Sequence, residues 1–155
     1  MRYHYFASVG SCYFLPSLKQ KARFEGSAIL LGSGSTNGKM RFNNDSGSTY
    51  SFLANGMGGS ANTSNQTQNH ILVKGASTTA MTLISFLISN IAAYEKSVQI
   101  ISTTVNAAGL ATDPSVRFEQ GKWANTSAEI NRIDIIDDDT GDYVIGSDLI
   151  IEGLA

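Results

Sequence analysis

From Ser27 to its end the chain is a succession of short runs of β-forming residues, each closed by a cluster of Gly, Ser, Asn or Asp, and few folds accept that rhythm. Ala28–Leu31 stops at the Gly32–Gly38 cluster. Lys39–Phe42 stops at Asn43–Gly47, and Thr49–Leu53 follows. Ile71–Val73, Ser97–Val105, Val116–Phe118 and Gly121–Trp123 continue the series. Ile130–Ile136 and Tyr143–Ile151 read as a closing hairpin around Asp137–Asp142. About eight strands at this spacing predict an all-β domain, an antiparallel β-sandwich or jelly roll. Phe42, Phe52, Leu72, Ile84, Phe86, Ile133 and Ile135 are expected in its core.

Composition agrees. Charged residues are only 15% of the 155, and Ser, Thr, Asn and 15 glycines stand in their place. A hydrophobic share of 42% suffices for a core and excludes a disordered chain. A net charge of -2 leaves no electrostatic footprint for nucleic acid. The one basic cluster, Lys19, Lys21 and Arg23, is too short to provide one. No apolar run has a membrane span's length. The single cysteine, Cys12, excludes an internal disulfide. Met1–Phe6 carries aromatics and a histidine where a signal peptide has Leu and Ala.

Three stretches depart from the rhythm. Residues 1–26 hold Tyr3, Tyr5, Phe6, Tyr13, Phe14 and Phe24 with poor alternation, and read as an N-terminal arm attached to a β-sandwich domain of residues 27–155. The arm's Tyr3, Tyr5, Phe6, Tyr13 and Phe14 form the expected assembly interface, because uncovered aromatics of this size make a sticky patch. The competing reading folds the arm back over its own sandwich. Asn55–Asn69 lacks aromatics and β-branched aliphatics and reads as a long polar loop. Met81–Ile91 fits a helical stripe, but its serines and threonines favour a strand with Ile84, Phe86 and Ile88 on one face.

The chemistry-bearing residues are sparse. Two histidines, His4 and His70, and one cysteine cannot supply a four-ligand zinc site. No G-x-S-x-G elbow supports a serine triad through His70. Gly32–Asn37 fails G-x-G-x-x-G at its last position, Ser33 and Met40 break the Walker pattern around Gly38-Lys39, and Gly56–Ala61 fits G-x-G-x-x-A but no apolar helix follows it, so turns explain these glycines. Asp137, Asp138, Asp139 and Asp142 could offer oxygens to calcium but lack EF-hand spacing, and a solvated loop explains them. Trp123 with Tyr50 or Tyr143 could make a sugar-stacking platform, although a lone Trp beside a strand more often fills a core. Asn43, Asp45 and Gly47 are expected to shape a turn, the first two through side-chain hydrogen bonds to backbone N–H groups and Gly47 through a backbone conformation that disfavours a Cβ.

Met40–Ser51 reads Met-Arg-Phe-Asn-Asn-Asp-Ser-Gly-Ser-Thr-Tyr-Ser and resembles the R-F-N-x-D-S-G-x-x-Y-S signature of small structural proteins of tailed bacteriophages. Gly121–Thr126, Ile130–Ile133 and Gly146–Gly153 are similar to that family's closing strands, with Glu152 where its closing aromatic stands. The resemblance spans residues 27–155. It implies a jelly-roll domain on the outer surface of a virion. Such a protein decorates or cements a capsid by contacts with the major capsid protein or other virion proteins, as a homotrimer. It implies no catalysis, cofactor, metal, nucleic acid or membrane. A tail or fibre component and a carbohydrate-binding β-sandwich are the alternatives.

Overall fold

The computed structural model describes residues 2–6, 11–12, 21–33, 37–57, 62–73, 80–105, 113–137 and 142–154. Twelve strands lie among them: β1 (Arg2–Phe6), β2 (Ser11–Cys12), β3 (Arg23–Leu31), β4 (Gly38–Phe42), β5 (Tyr50–Met57), β6 (Thr63–Gln68), β7 (Ile71–Val73), β8 (Met81–Ser89), β9 (Lys96–Val105), β10 (Ser115–Trp123), β11 (Ile133–Asp137) and β12 (Asp148–Leu154). One sheet has eight strands in the order β1-β12-β3-β8-β9-β10-β5-β6, and the other has four, β2-β11-β4-β7. All pairings are antiparallel. The architecture is the expected all-β one, two antiparallel sheets in the manner of a β-sandwich. Without the N-terminal β1 and β2 the sheets keep seven and three strands.

The ambiguous Met81 segment shows why alternation decides. Its burial strictly alternates, with Ile84, Phe86 and Ile88 inward and Met81, Leu83 and Leu87 outward. A helix would have spread these residues around a cylinder, whereas a strand separates them cleanly onto two faces. β8 pairs with β3 and β9 along nearly its whole length.

The core joins the sheets. Phe42 of the small sheet lies 5.7 Å from the Trp123 ring and 6.2 Å from Tyr50, centroid to centroid. Tyr50 and Trp123, both in the large sheet, stack at 6.3 Å with an interplanar angle of 16°. Ile71 of β7 descends onto Gly121 of β10. A Cβ there would lie 2.8 Å from Ile71 Cδ1, so only glycine lets the sheets approach this closely.

Several expectations are corrected. The closing runs make no hairpin: β11 pairs with β2 and β4, whereas β12 pairs with β1 and β3 in the other sheet. Ile133, Ile135, Leu149 and Ile151 are all buried, and a core between two sheets needs apolar residues from both sides. Asn55–Asn69 is mostly strand, since Tyr50–Met57 pairs with Thr63–Gln68. An edge strand is held by backbone hydrogen bonds and needs no apolar face, so its polar composition masked it. Val116–Phe118 and Gly121–Trp123 belong to one strand, β10. Arg23–Gly26, read with the arm, form the start of β3, which runs on through Ser27 to Leu31. Of the expected core only Leu72 is partly exposed, because it faces away from Ile71 and Val73 on β7.

Candidate functional site

Two places bring polar or apolar groups together unusually. The first is the segment Arg41–Ser51, where the chain leaves the small sheet at Phe42 and enters the large one at Tyr50. Asn43 and Asn44 both take left-handed conformations (φ 53° and 58°), and the Asp45 N–H donates to the Phe42 carbonyl at 2.9 Å. This is a tight turn of the kind that asparagine tolerates. Asp45 then anchors the residues up to Thr49 and the indole of Trp123. Its Oδ1 accepts from the Gly47 N–H at 2.8 Å, and its Oδ2 accepts from Thr49 Oγ1 at 2.8 Å and Trp123 Nε1 at 2.7 Å. Burial alone would raise this carboxyl's pKa. The hydrogen bonds from Trp123, Gly47 and Thr49, with the Arg41 charge nearby, hold it below the ordinary 3.8.

Asn43 turns the other way and ties down the loop before β11. Its Nδ2 donates to the Glu129 carbonyl at 2.8 Å, and its Oδ1 accepts from the N–H groups of Asn131 (2.9 Å) and Arg132 (3.1 Å). Tyr50 closes the corner, its hydroxyl accepting from the Phe42 N–H at 2.9 Å. Burial drives that hydroxyl's pKa strongly upward. Gly47 has no left-handed φ, which corrects the reason expected for it. The constraint is space, since a Cβ would sit 3.1 Å from Asp45 Oδ1. These groups hold one another and brace the crossing between sheets.

The second place is the half of β8, β9 and β10 farthest from Trp123, where the sheet is inside out. Toward the core point Thr82, Ser102, Thr104, Ser115, Arg117 and Glu119, all buried. Ser102 Oγ donates to Glu119 Oε2 at 3.1 Å, Arg117 Nε lies 3.6 Å from Glu119 Oε1, and the Thr82 and Thr104 hydroxyls are 3.0 Å apart. Toward solvent point Met81, Leu83, Ile101, Val105 and Phe118, with Ile29 of β3 beside them, each 39–49% exposed. The strand pairing makes them contiguous: Ile29 opposes Leu83, Met81 opposes Val105, and Ile101 opposes Phe118. A shallow depression of about 370 Å³ opens just below, between Leu87, Ile101, Phe118 and the polar Glu25, Gln99 and Gln120.

The parity of β10 follows from its far end. Trp123 must point inward to stack on Tyr50 and reach Asp45, so Gly121, Glu119, Arg117 and Ser115 point inward too, and Phe118 points out. The sequence reading missed this because Val116 and Phe118 look like the core side of Val-Arg-Phe-Glu. Counting back in twos from Trp123 would have exposed it.

The other candidates are scattered. Tyr3, Tyr5 and Phe6 lie in β1, whose backbone pairs with β12 at Ile151, Leu149 and Asp148 respectively. That backbone therefore folds back along the sandwich. Tyr13 and Phe14 lie outside the described residues, as do Asp138 and Asp139. His70 Nδ1 lies 2.6 Å from Asn69 Oδ1, and its ring is 6.0 Å from Phe52. Trp123, Tyr50 and Tyr143 are about 1% exposed, so their faces offer no sugar platform. Lys96 is buried with Nζ on the carbonyls of Tyr94 (2.6 Å) and Asn125 (3.1 Å), and burial lowers its pKa despite Glu129 nearby. Among the described residues no group of three or more His, Cys, Asp or Glu is placed to hold a metal ion.

Comparison with known proteins finds no matching family model, no matching curated protein and no matching solved structure.

Proposed function

We propose that the protein is a virion structural component that decorates or cements a bacteriophage capsid through protein–protein contacts, with the outer face of its eight-stranded sheet serving as an assembly interface between virion chains. The observation that carries this reading is the inside-out half-sheet. Large apolar side chains stand in solvent while an arginine, a glutamate and four hydroxyls occupy the core side. Burying charge and exposing apolar surface each cost free energy, and contiguous exposed apolar area marks an interaction surface. The resemblance of Met40–Ser51 to the signature of tailed-phage structural proteins supplies the setting. The bracing role of Asn43, Asp45 and Tyr50 fits a motif kept for shape. The two-sheet frame is compatible with the jelly-roll domains of such proteins.

Mass spectrometry of purified particles of the phage encoding this chain tests the reading. A decorating role predicts this chain at high copy number in every head, on the order of hundreds if it covers the shell lattice. Absence from particles refutes the proposal, and a handful of copies moves the protein to the tail or fibre.

A further inference from the structure

The outer face asks for a particular partner. Its apolar half comprises Ile29, Met81, Leu83, Ile101, Val105 and Phe118, continued by the exposed Met57, Leu53 and Leu87. At roughly 200 Å² for a fully exposed large side chain, this leaves roughly 700–800 Å² of apolar surface. The largest patch on an ordinary monomer is about 300–600 Å², and a standard interface takes about 800 Å² from each partner. The patch therefore matches one side of a stable interface. Its centre carries no charge, as in the apolar interfaces of homodimers.

We propose that a second copy of this chain covers this face, by packing the two eight-stranded sheets against each other about a two-fold axis running close to the direction of β9. The proposal deepens the functional reading, since it rests on the same face being a protein interface. Two alternatives for the in-plane axis are separated by polarity. The face is apolar toward Met81 and Val105 and carries Arg23, Ser89, Ser97 and Lys122 at its other end, where Lys122 Nζ pairs with Glu95 at 2.8 Å. An axis across the strands lays the apolar half on the polar half. An axis along the strands lays apolar half on apolar half. The second arrangement buries the patch in one apolar contact. Aligned sheets pack about 10 Å apart with their strands within about 30°, which such an axis allows. One self-matching patch makes a two-fold pair, whereas a trimer joins unlike patches, so the proposal replaces the homotrimer expected from resemblance.

Sedimentation equilibrium of the purified chain provides the first measurement. The expected species has twice the 16.5 kDa chain mass. Leu83→Lys with Ile101→Lys is expected to give a monomer with an unchanged far-ultraviolet circular dichroism spectrum. The second measurement survives any loss of folding in that variant. In a Cys12→Ser background, Ile101→Cys sits near the axis and is expected to be joined to its mate in the other copy by a short bis-maleimide cross-linker, which spans sheets packed about 10 Å apart. Ser27→Cys, on β3, faces β5 of the other copy and is expected not to be. A monomeric wild-type chain, a trimer, an oligomer indifferent to the lysines, or cross-linking through Ser27→Cys alone each overturns the pairing. A monomer found abundantly in particles sinks the pairing and leaves the virion reading standing. A dimer absent from particles does the reverse.

Discussion

Asp45→Ala probes the brace at the sheet crossing, and the structure sets its cost. Three donors lose an acceptor. The Gly47 N–H is exposed and turns to water, and the Thr49 hydroxyl rotates to find another partner, so neither loss is large. The Trp123 N–H is the expensive one, because the indole is 1% exposed and fixed by its stack on Tyr50. Leaving such a donor without an acceptor costs about 1–3 kcal/mol. At about 2–4 °C per kcal/mol for a chain of this size, a loss near 2 kcal/mol lowers Tm by about 4–8 °C. Trp123→Phe removes the donor and keeps a ring, so a double-mutant cycle isolates the bond, with an expected coupling of about 1–2 kcal/mol. The pH dependence has a definite sign. The folded carboxyl is depressed below 3.8, so the stability it brings is full above that value and disappears as pH falls through the folded pKa. Wild type and Asp45→Ala should therefore converge in acid. Scanning calorimetry across pH is the assay. An unchanged Tm at neutral pH, zero coupling, or a gap that persists undiminished into acid refutes the reasoning.

Asn43 and the glycines give two further expected outcomes. Asn43→Ala loses the three hydrogen bonds to the Glu129–Arg132 loop and places alanine at φ 53°, for a cost of about 2–4 kcal/mol read by chemical denaturation. An effect below about 0.5 kcal/mol would show that the loop holds itself. Among the glycines, Gly146→Ala should cost about 1 kcal/mol or more, since Gly146 has φ 101° and a Cβ would meet Leu31 Cδ1 at 3.0 Å. Gly47→Ala should cost less, because only the Asp45 carboxylate must shift, and the reverse order in thermal melts would count against both assignments.

What was legible in the sequence was what local physics decides. β8 could be read because its apolar residues alternate, and the β4-to-β5 turn because Asn43, Asn44 and Gly47 mark it. Sheet membership was not legible. Ile133–Ile135 and Leu149–Ile151 look like hairpin partners, and only the need of a shared core for residues from both sides sends them to different sheets. β6 was hidden because backbone pairing leaves no trace in side chains such as Thr63, Ser64, Asn65 and Gln66. Its edge bears a register irregularity opposite Ser51 and a left-handed Thr67 (φ 57°), a bulge that discourages further strands from adding there. Buried Lys96 and Asp134 were equally invisible. Asp134 has its carboxyl raised by burial, with Arg132 Nε at 2.7 Å opposing the rise.

The inverted half of β10 joins the brace to the outer face. A strand can be flipped by a one-residue slip, and Val116 and Phe118 inward with Arg117 and Glu119 outward would be the cheaper face for a lone domain. The slip is forbidden from the other end, where Trp123 is held by Tyr50 and Asp45 and Gly121 is held by Ile71. The corner that braces the sheet crossing thus also compels Phe118 to face outward, next to Ile101 of β9. β9 carries the same inversion, Ser102 and Thr104 inward against Ile101 and Val105 outward, and β8 repeats it with Thr82 against Met81 and Leu83. Three adjacent strands sharing one reversal is a property of a surface. Such a surface is stable when something apolar covers it, so a fold whose internal anchor presents it is a fold whose stability and association are coupled.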